Sequence, residues 1–345
     1  MNNVSDITLS VLVISHNQKH LLPRCLDSIL GQKLNVRYEV IVSDDRSSDG
    51  TWELIEQYEK KYSNIIRGVK CNSDECNPVN NSERCGWNKA TAYKNSKGRY
   101  FVNIDADDYL KSDDIYQKQL DALMANPDCS MCQQRAWQVD DGKPLQSGYA
   151  WPTDPRLKDG IKLSAAYIIQ HDLQGLNPTY MIRKNGDENP AEKFGKWFND
   201  TNITLYFLQF GKAIFIDRAD YVWVQYRSSI SNSVVDWDRQ LLYALLPLQQ
   251  AILIPRFKYY FLMRYNRELA GLLKHSLFRH IPSGNGIVAY YAQIDAFIFQ
   301  YYAKGQRGIA SRVRIAKALL QYYKIHKRSD HTKEAADKLY SLLLK

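Results

Sequence analysis

The sequence predicts an α/β domain with a mostly parallel central sheet over residues 1–235, followed by a smaller helical domain over residues 236–345. Three observations carry this prediction. Apolar runs of strand length alternate with helical periodicities in the first part, which is typical of a parallel sheet covered by helices. Several of these runs end in polar clusters. The charge of the chain also changes sign near residue 235.

Strands and helices alternate in order from the N-terminus. The apolar run at residues 7–14 is long enough for a strand buried on both faces. Apolar residues then recur at helical spacing until Gly31, which ends the predicted helix. The remaining predicted elements are a strand at 38–42, a helix carrying Leu54, Tyr58 and Tyr62, a strand at 65–69, a helix at 87–96 and a strand at 100–104.

The two predicted domains differ in charge. Residues 236–345 contain 18 lysines and arginines against 7 acidic residues, whereas the first 235 residues contain 28 against 30. The C-terminal part also has apolar residues at helical spacings, so we predict basic helices there. An anionic lipid surface, a nucleic acid, or simple solvation of an oligomerising bundle would each explain such a face.

Several classes of protein are disfavoured by the sequence. No GxGxxG follows the first strand and no GxxxxGK[ST] occurs, which argues against dinucleotide oxidoreductases and P-loop enzymes. The six cysteines are too few and too irregularly spaced for a disulfide framework, and a zinc site is the less favoured interpretation. No signal peptide or membrane span is expected, so the chain is predicted to be cytoplasmic.

Carboxylates gather at two predicted strand ends. Asp44 and Asp45 follow the second strand, and Asp105, Asp107 and Asp108 follow the strand at 100–104. In open α/β sheets ligands bind at the carboxyl ends of the strands. Clustered carboxylates repel one another unless a proton or a cation neutralises them, and hard oxygen ligands suit Mg²⁺ or Mn²⁺ that also holds phosphate. The alternative is that Asp107 and Asp108 only cap the next element.

The order and spacing of these motifs resemble the inverting family-2 glycosyltransferases of the GT-A fold, over about residues 7–232. Ser15-His16-Asn17 resembles the end of the family's first strand. Trp87-Asn88 stands where the family usually has Arg-Asn. The segment at 178–183 is similar to the strand before the catalytic segment, and the segment at 226–231 is similar to the family's Tyr-Arg loop.

The predicted catalytic segment begins at Asn199-Asp200. The family pattern is Glu-Asp, two residues, Leu, two residues, Arg-Leu, three residues, Gly. Here Ile203, Tyr206-Phe207 and Gly211 follow at those spacings, with Asn199 in place of Glu and Tyr206 in place of Arg. The retained Asp200 is the residue that the family uses as general base. A purely structural alternative is that Asp200 caps the following helix.

The resemblance implies a role for each candidate residue. The residues implied to contact the nucleotide-sugar donor are Ser15, Asn17, Asp44, Asp45, Asn88 and Asp105. Asp107 is implied to hold Mn²⁺ or Mg²⁺ bridging the two phosphates, and Asp200 to take the proton of the acceptor hydroxyl as it attacks the anomeric carbon.

The implied function is metal-dependent inverting transfer of a sugar, most simply from a UDP-linked donor, to a saccharide or lipid-linked saccharide in surface polysaccharide synthesis. Because a lipid-linked acceptor lies at a membrane, we favour the anionic lipid surface as partner of the basic C-terminal part. The protein would then be peripheral to the inner face of the cell membrane. Three alternatives stay open: a polyprenyl-phosphate sugar transferase of the same fold, a non-catalytic nucleotide-sugar-binding module, and, less favoured, a nucleic-acid binder.

Overall fold

The computed structural model describes residues 7–78, 81–171, 173, 179–185, 189–226, 247, 250–251 and 253–261. The chain divides into two units, Met1–Ser233 and Val234–Lys345. In the second unit a short 3₁₀ turn spans Pro255–Phe257. Most of the predicted basic helices lie outside the described residues, so the domain boundary near residue 235 stays a prediction.

The described part of the first unit contains ten strands and seven helices. The strands are β1 (Leu9–Ser15), β2 (Tyr38–Asp45), β3 (Ile66–Cys71), β4 (Tyr100–Asp105), β5 (Tyr109–Leu110), β6 (Cys129–Asp140), β7 (Tyr149–Trp151), β8 (Lys162–Leu163), β9 (Tyr180–Arg183) and β10 (Lys212–Gln225). The helices are α1 (Leu22–Leu30), α2 (Thr51–Lys61), α3 (Asn81–Lys94), α4 (Ile115–Ala125), α5 (Ala165–Gln170), α6 (Pro190–Phe194) and α7 (Asp200–Phe207).

All ten strands belong to one mixed sheet with the order β3-β2-β1-β4-β9-β6-β10-β5, in which β7 pairs with β6 and β8 with β10. The four strands that the sequence predicts before residue 105 are parallel to one another. Strand β9 enters antiparallel between β4 and β6, whereas β6 and β10 are parallel. The predicted parallel sheet is therefore present in the N-terminal half, and antiparallel pairs extend it beyond β4.

The N-terminal half folds as its apolar pattern dictates. Every residue of β1 is buried, because helices cover both faces of a parallel sheet. Helix α1 turns Leu22, Cys25, Leu26 and Ile29 inward, one face at helical spacing, and ends at Gly31. These side chains join those of β1, β2 and β4 in one hydrophobic core.

The register of the parallel strands brings the polar strand ends to one edge. Ser15 at the end of β1 pairs with Asp44 of β2, and Ile14 pairs with Asp105 of β4. The predicted donor-binding and metal-binding residues of three strands thus lie side by side at the carboxyl edge, where an open α/β sheet binds its ligands.

Two further features of the described residues bear on the sequence-based expectations. All six cysteines are free thiols. No helix in the described ranges is long and apolar enough to cross a membrane.

Candidate active site

The end of β1 is fastened to the turn after β2. Ser15 Oγ donates a hydrogen bond to Asp44 Oδ1 at 3.0 Å, and the Ser47 amide donates to Asp44 Oδ2 at 3.0 Å. Asp44 is buried. Its carboxylate therefore closes this turn, since a buried carboxylate needs several hydrogen-bond donors. Whether Asp44 or Ser15 also contacts the donor stays a prediction.

Asp45 is tied to the segment after β3. Its two carboxylate oxygens accept from the Ser73 amide at 2.9 Å and from Ser73 Oγ at 2.6 Å. Arg84 of α3 donates to Ser73 Oγ at 2.9 Å and pairs with Asp74, which also pairs with Arg46. Two guanidinium groups and two carboxylates thus line the end of β2, where the resemblance implies that Asp45 contacts the nucleotide-sugar donor.

Asn17 and Asn88 shape the backbone beside this edge. Asn17 has a φ of 53°, a left-handed conformation that asparagine tolerates, and its Oδ1 accepts from the Ser48 amide at 2.8 Å. Asn88 Nδ2 donates to the carbonyl of Ser15 at 3.1 Å. Asn88 Oδ1 is buried and has no hydrogen-bond partner among the described residues. An orphaned acceptor of this kind is costly unless a ligand supplies a donor.

The three carboxylates after β4 have different environments. Burial and the charge of Asp105 raise the pKa of Asp107 to about 6, although the charges of Lys89 and Arg24 oppose the rise. Burial and the nearby charge of Asp200 raise the pKa of Asp105, although Lys89 opposes the rise. The Asp107 carboxylate forms no hydrogen bond or ion pair with another side chain of the described residues.

Asp108 is structural. Its Oδ1 accepts from the amide of Val224 at 2.9 Å, and its Oδ2 accepts from the hydroxyl of Tyr221. Burial and the charges of Asp107 and Asp105 raise the pKa of Asp108 well above its ordinary value. Asp108 therefore fastens residues 105–108, here called the acidic loop, to β10. This long-range contact replaces the capping role that the sequence suggested for Asp108.

Asp200 is the first residue of α7, and Asn199 before it is the helix cap. The Asn199 side chain accepts a hydrogen bond from the Asn202 amide at 3.0 Å. The alternative that Asp200 serves only as the cap is therefore wrong, because the position and the hydrogen bond of a cap belong to Asn199. The Asp200 carboxylate is left to face the acidic loop, and its role as base stays a prediction.

Tyr206, which replaces the family's arginine, lies in an aromatic core. Its ring packs edge-on against Phe194 at 5.5 Å and against Phe210 at 5.4 Å between centroids, and its side chain is buried. Phe207 beside it packs on Phe101 of β4 at 5.4 Å. The C-terminal side of α7 thus anchors Asp200 to the sheet through ring contacts.

The segment before α7 lies directly on α3. Glu83 is buried. It forms an ion pair with Lys196 Nζ at 2.9 Å and accepts a hydrogen bond from Trp197 Nε1 at 3.3 Å. A Cβ at Gly86 would lie 2.2 Å from the carbonyl oxygen of Lys196. Only glycine allows this close backbone approach.

We expect Gly86→Ala to destabilise the protein by about 1–3 kcal/mol, the usual cost of overpacking, and to slow the reaction because the segment carrying Asp200 must move. Urea unfolding and a turnover assay check both effects. The matched control is Gly31→Ala, where the added Cβ would come no closer than 3.3 Å to Asp27 O and φ is −75°. Wild-type stability and turnover in Gly86→Ala would contradict the close packing.

Lys89 joins the two halves of the site, and the sequence did not reveal it. Its Nζ pairs with Asp200 Oδ1 and lies 3.5 Å from Asp105 Oδ1. Burial alone would lower the pKa of Lys89, but the charges of Asp105 and Asp200 raise it well above its ordinary value. The only signal in the sequence was its position three residues after Gly86 on the same helix face.

Arg24 of α1 is a second residue that the sequence analysis missed. Its guanidinium donates to the backbone carbonyl of Asp107 at 2.9 Å and to Tyr226 Oη at 3.2 Å, and it stacks over Tyr109 at 4.4 Å. Residues 227–231 of the predicted Tyr-Arg loop lie outside the described residues. Arg24 thus places a cation beside the carboxylate predicted to bind metal.

The carboxylates of this edge fit a divalent cation only together with a ligand. Within the described ranges no group of three or more His, Cys, Asp or Glu side chains is arranged to hold a metal. Mg²⁺ and Mn²⁺ are, however, commonly held by one or two carboxylates together with substrate phosphates. Asp107 offers one half-buried carboxylate for that purpose, so its chemistry fits the ion.

Comparison with known protein families gives one family. Residues 10–172 match the model described as "Glycosyl transferase family 2". A 109-residue stretch is 33% identical to the poly(ribitol-phosphate) beta-glucosyltransferase of Bacillus spizizenii, covering 30% of this chain and 16% of that protein. The putative teichuronic acid biosynthesis glycosyltransferase TuaG of Bacillus subtilis is 29% identical over 154 residues, covering 45% of this chain and 57% of that protein. The matches span less than two thirds of either relative.

Comparison with solved structures supports the same fold. The crystal structure of S. aureus TarS 1–349 superposes with a TM-score of 0.58 at 14% identity, covering 98% of this chain and 90% of that one. Its complex with UDP-GlcNAc superposes with a TM-score of 0.52 at 14% identity, with the same coverage. The predicted α/β fold of the GT-A type is confirmed.

Proposed function

Because residues 10–172 match the model of glycosyl transferase family 2, we propose that the chain is an inverting glycosyltransferase that moves a sugar from a UDP-linked donor to a hydroxyl of a saccharide or lipid-linked saccharide. Support for the donor comes from the fold shared with a protein solved with UDP-GlcNAc. Support for a cell-surface polysaccharide as product comes from two relatives, one named a poly(ribitol-phosphate) beta-glucosyltransferase and the other a putative teichuronic acid biosynthesis glycosyltransferase.

One observation carries this proposal. The carboxylates of Asp105 and Asp200, which come from β4 and α7, meet on the ammonium of Lys89 at the carboxyl edge of the sheet. In a single displacement the acceptor oxygen attacks from the face opposite the leaving group, so the carboxylate that takes its proton must lie close to the donor-binding residues. A binding module needs no second carboxylate there.

The chain's own residues would divide the work as follows. Asp45 at the end of β2 would contact the base or ribose of the donor, and Asp105 stands at the end of β4, separated from β2 by β1. Asp200 accepts the proton of the acceptor hydroxyl while that oxygen attacks the anomeric carbon from the face opposite the departing diphosphate. General-base assistance of this kind typically contributes about 10²–10⁴-fold to the rate.

Asp107 would hold Mn²⁺ or Mg²⁺ at this site. When bound, such an ion supplies Lewis-acid stabilisation of the charge that develops on the leaving diphosphate. Arg24 beside Asp107 adds a fixed positive charge on the same side of the acidic loop.

The proposal is tested with a panel of nucleotide-sugars. We expect UDP-sugars to raise the melting temperature in the presence of Mn²⁺, and one of them to be hydrolysed slowly or transferred when a saccharide acceptor is added. GDP- and CMP-sugars serve as controls. A chain that binds a UDP-sugar but never breaks its glycosidic bond would instead be a binding module.

For the basic C-terminal part we propose an anionic membrane surface as the partner. Residues 236–345 carry a net charge of +11, and each Lys or Arg near such a surface contributes on the order of 1 kcal/mol. The full-length protein should sediment with anionic vesicles, stay in solution with neutral ones, and be released by high salt. Arg312→Glu combined with Arg314→Glu should weaken the binding. No sedimentation, together with salt-sensitive binding to RNA or DNA, would favour a nucleic acid instead.

A further inference from the structure

We propose that Lys89 is a positioning residue for the base, which holds one carboxylate oxygen of Asp200 so that the other faces the acceptor hydroxyl. This inference rests on the proposed function, since a base needs positioning only if there is a reaction. It assigns a role to a side chain for which neither the family pattern nor the sequence predicted one.

The ammonium of Lys89 is buried. Its side chain is 3% exposed. A lysine is rarely buried to this extent, because the ammonium loses its hydration unless carboxylates replace it. Those carboxylates are Asp105 and Asp200, so the buried charge is compensated by the site itself and by no distant surface group.

The Asp200 carboxylate is held at one of its two oxygens. Lys89 Nζ binds Oδ1 of Asp200, and no other described side chain contacts this carboxylate by a hydrogen bond or an ion pair. The side chain of Asp200 is 30% exposed, so the carboxylate is reachable from solvent. A carboxylate held at one oxygen and open at the other is what a general base for an incoming hydroxyl requires.

Helix α3, which carries Lys89, is held on two sides. Helix α3 contacts β1 and β2, and its Asn88 donates to the end of β1. The same helix supports the segment before α7 through Glu83 and Gly86. Lys89 therefore projects from a helix that is fixed both to the parallel sheet and to the segment that carries Asp200, which is how supporting residues keep a functional group within a narrow range of orientations.

The test compares Lys89→Met, Asp200→Asn and the double variant with the wild type. We expect Lys89→Met to lower kcat by about 10- to 100-fold, the usual cost of losing an orienting contact, while KM for the UDP-sugar and UDP binding change by less than about threefold. In the double variant the loss should equal that of Asp200→Asn alone, because no base is left to position. A purely structural role would make the two losses multiply.

Two further variants sharpen the test. Lys94→Met carries the same substitution on the same helix, at an exposed lysine over the ring of Trp87, and should leave kcat unchanged. Lys89→Gln keeps a hydrogen-bond donor without the charge, should lose less than Lys89→Met, and carries the comparison if the methionine variant does not fold.

The outcomes separate the two proposals. An active wild type whose Lys89→Met variant keeps its kcat, or whose double variant shows multiplied losses, overturns the positioning role alone. Loss of UDP binding in a folded Lys89→Met variant also overturns it, since Lys89 would then be a donor-binding residue. A wild type that neither transfers nor hydrolyses any UDP-sugar overturns the proposed function, and the positioning role with it.

Discussion

Asp200→Asn is expected to leave UDP binding unchanged and to lower sugar transfer to a hydroxyl acceptor by roughly 10²-fold or more, the scale of general-base catalysis. The amide has the shape of the carboxylate and can still accept from Lys89, but it cannot take the acceptor proton. The helix itself should persist, because the cap is Asn199. Isothermal titration with UDP and an initial-rate assay measure the two effects.

The matched control is Asp217→Asn, which removes an exposed carboxylate paired with Arg135 at 2.6 Å on β10. It should leave transfer unchanged. Near-wild-type turnover of Asp200→Asn on a hydroxyl acceptor would remove Asp200 from the mechanism. If that variant were unaffected only on a polyprenyl phosphate, the acceptor would be the phosphate, which is already an anion and needs little help from a base.

Asp107→Ala is expected to weaken UDP-sugar binding strongly and to lower transfer by about 10³-fold, since a Lewis acid contributes several kcal/mol and each 1.4 kcal/mol is a factor of ten. The physical reason is that Asp107 is the carboxylate of the acidic loop left without a side-chain partner in the described part of the chain. Titration of UDP with and without Mn²⁺, and with a chelator, measures the effect.

A chelator should reproduce the loss in the wild type and add nothing in Asp107→Ala. The control is Asp113→Ala, which removes a carboxylate paired on the surface with Lys33 at 2.6 Å. That variant should bind UDP as the wild type does. UDP binding that responds neither to the chelator nor to Asp107→Ala would rule out the metal assignment.

The sequence predicted which strand-end residues lie together where local pattern determines their position. Ser15, Asp44 and Asp105 each follow an apolar run, and the register of parallel strands then brings such residues to one edge whatever lies between them. The strands β1 to β4 were predictable for the same reason. Beyond residue 105 the strands are short, or carry buried polar residues such as Gln133 and Gln134, so no alternation marks them.

The long-range contacts were not predictable. Nothing near Asp108 indicates that its partners are Tyr221 and Val224, and a lysine on a polar helix such as α3 usually faces solvent. The alternative that Asp200 caps the helix stayed open in the sequence because asparagine and aspartate both cap helices, and only the backbone geometry separates the two positions. Packing between distant segments, which a single sequence does not encode visibly, decided the first two cases, and local backbone geometry decided the third.

The contact between Asp108 and β10 has a consequence for the synthesis of the chain. Asp108 is 113 residues from Tyr221 and 116 from Val224 along the sequence. At roughly 5–20 residues per second, a ribosome releases the acidic loop on the order of ten seconds before the groups that bind Asp108 exist. During that interval its carboxylate must stay hydrated, so the loop cannot yet take its final position against β10. A fragment of the chain that stops before Val224 contains the aspartates of the acidic loop but lacks the Val224 amide that binds Asp108.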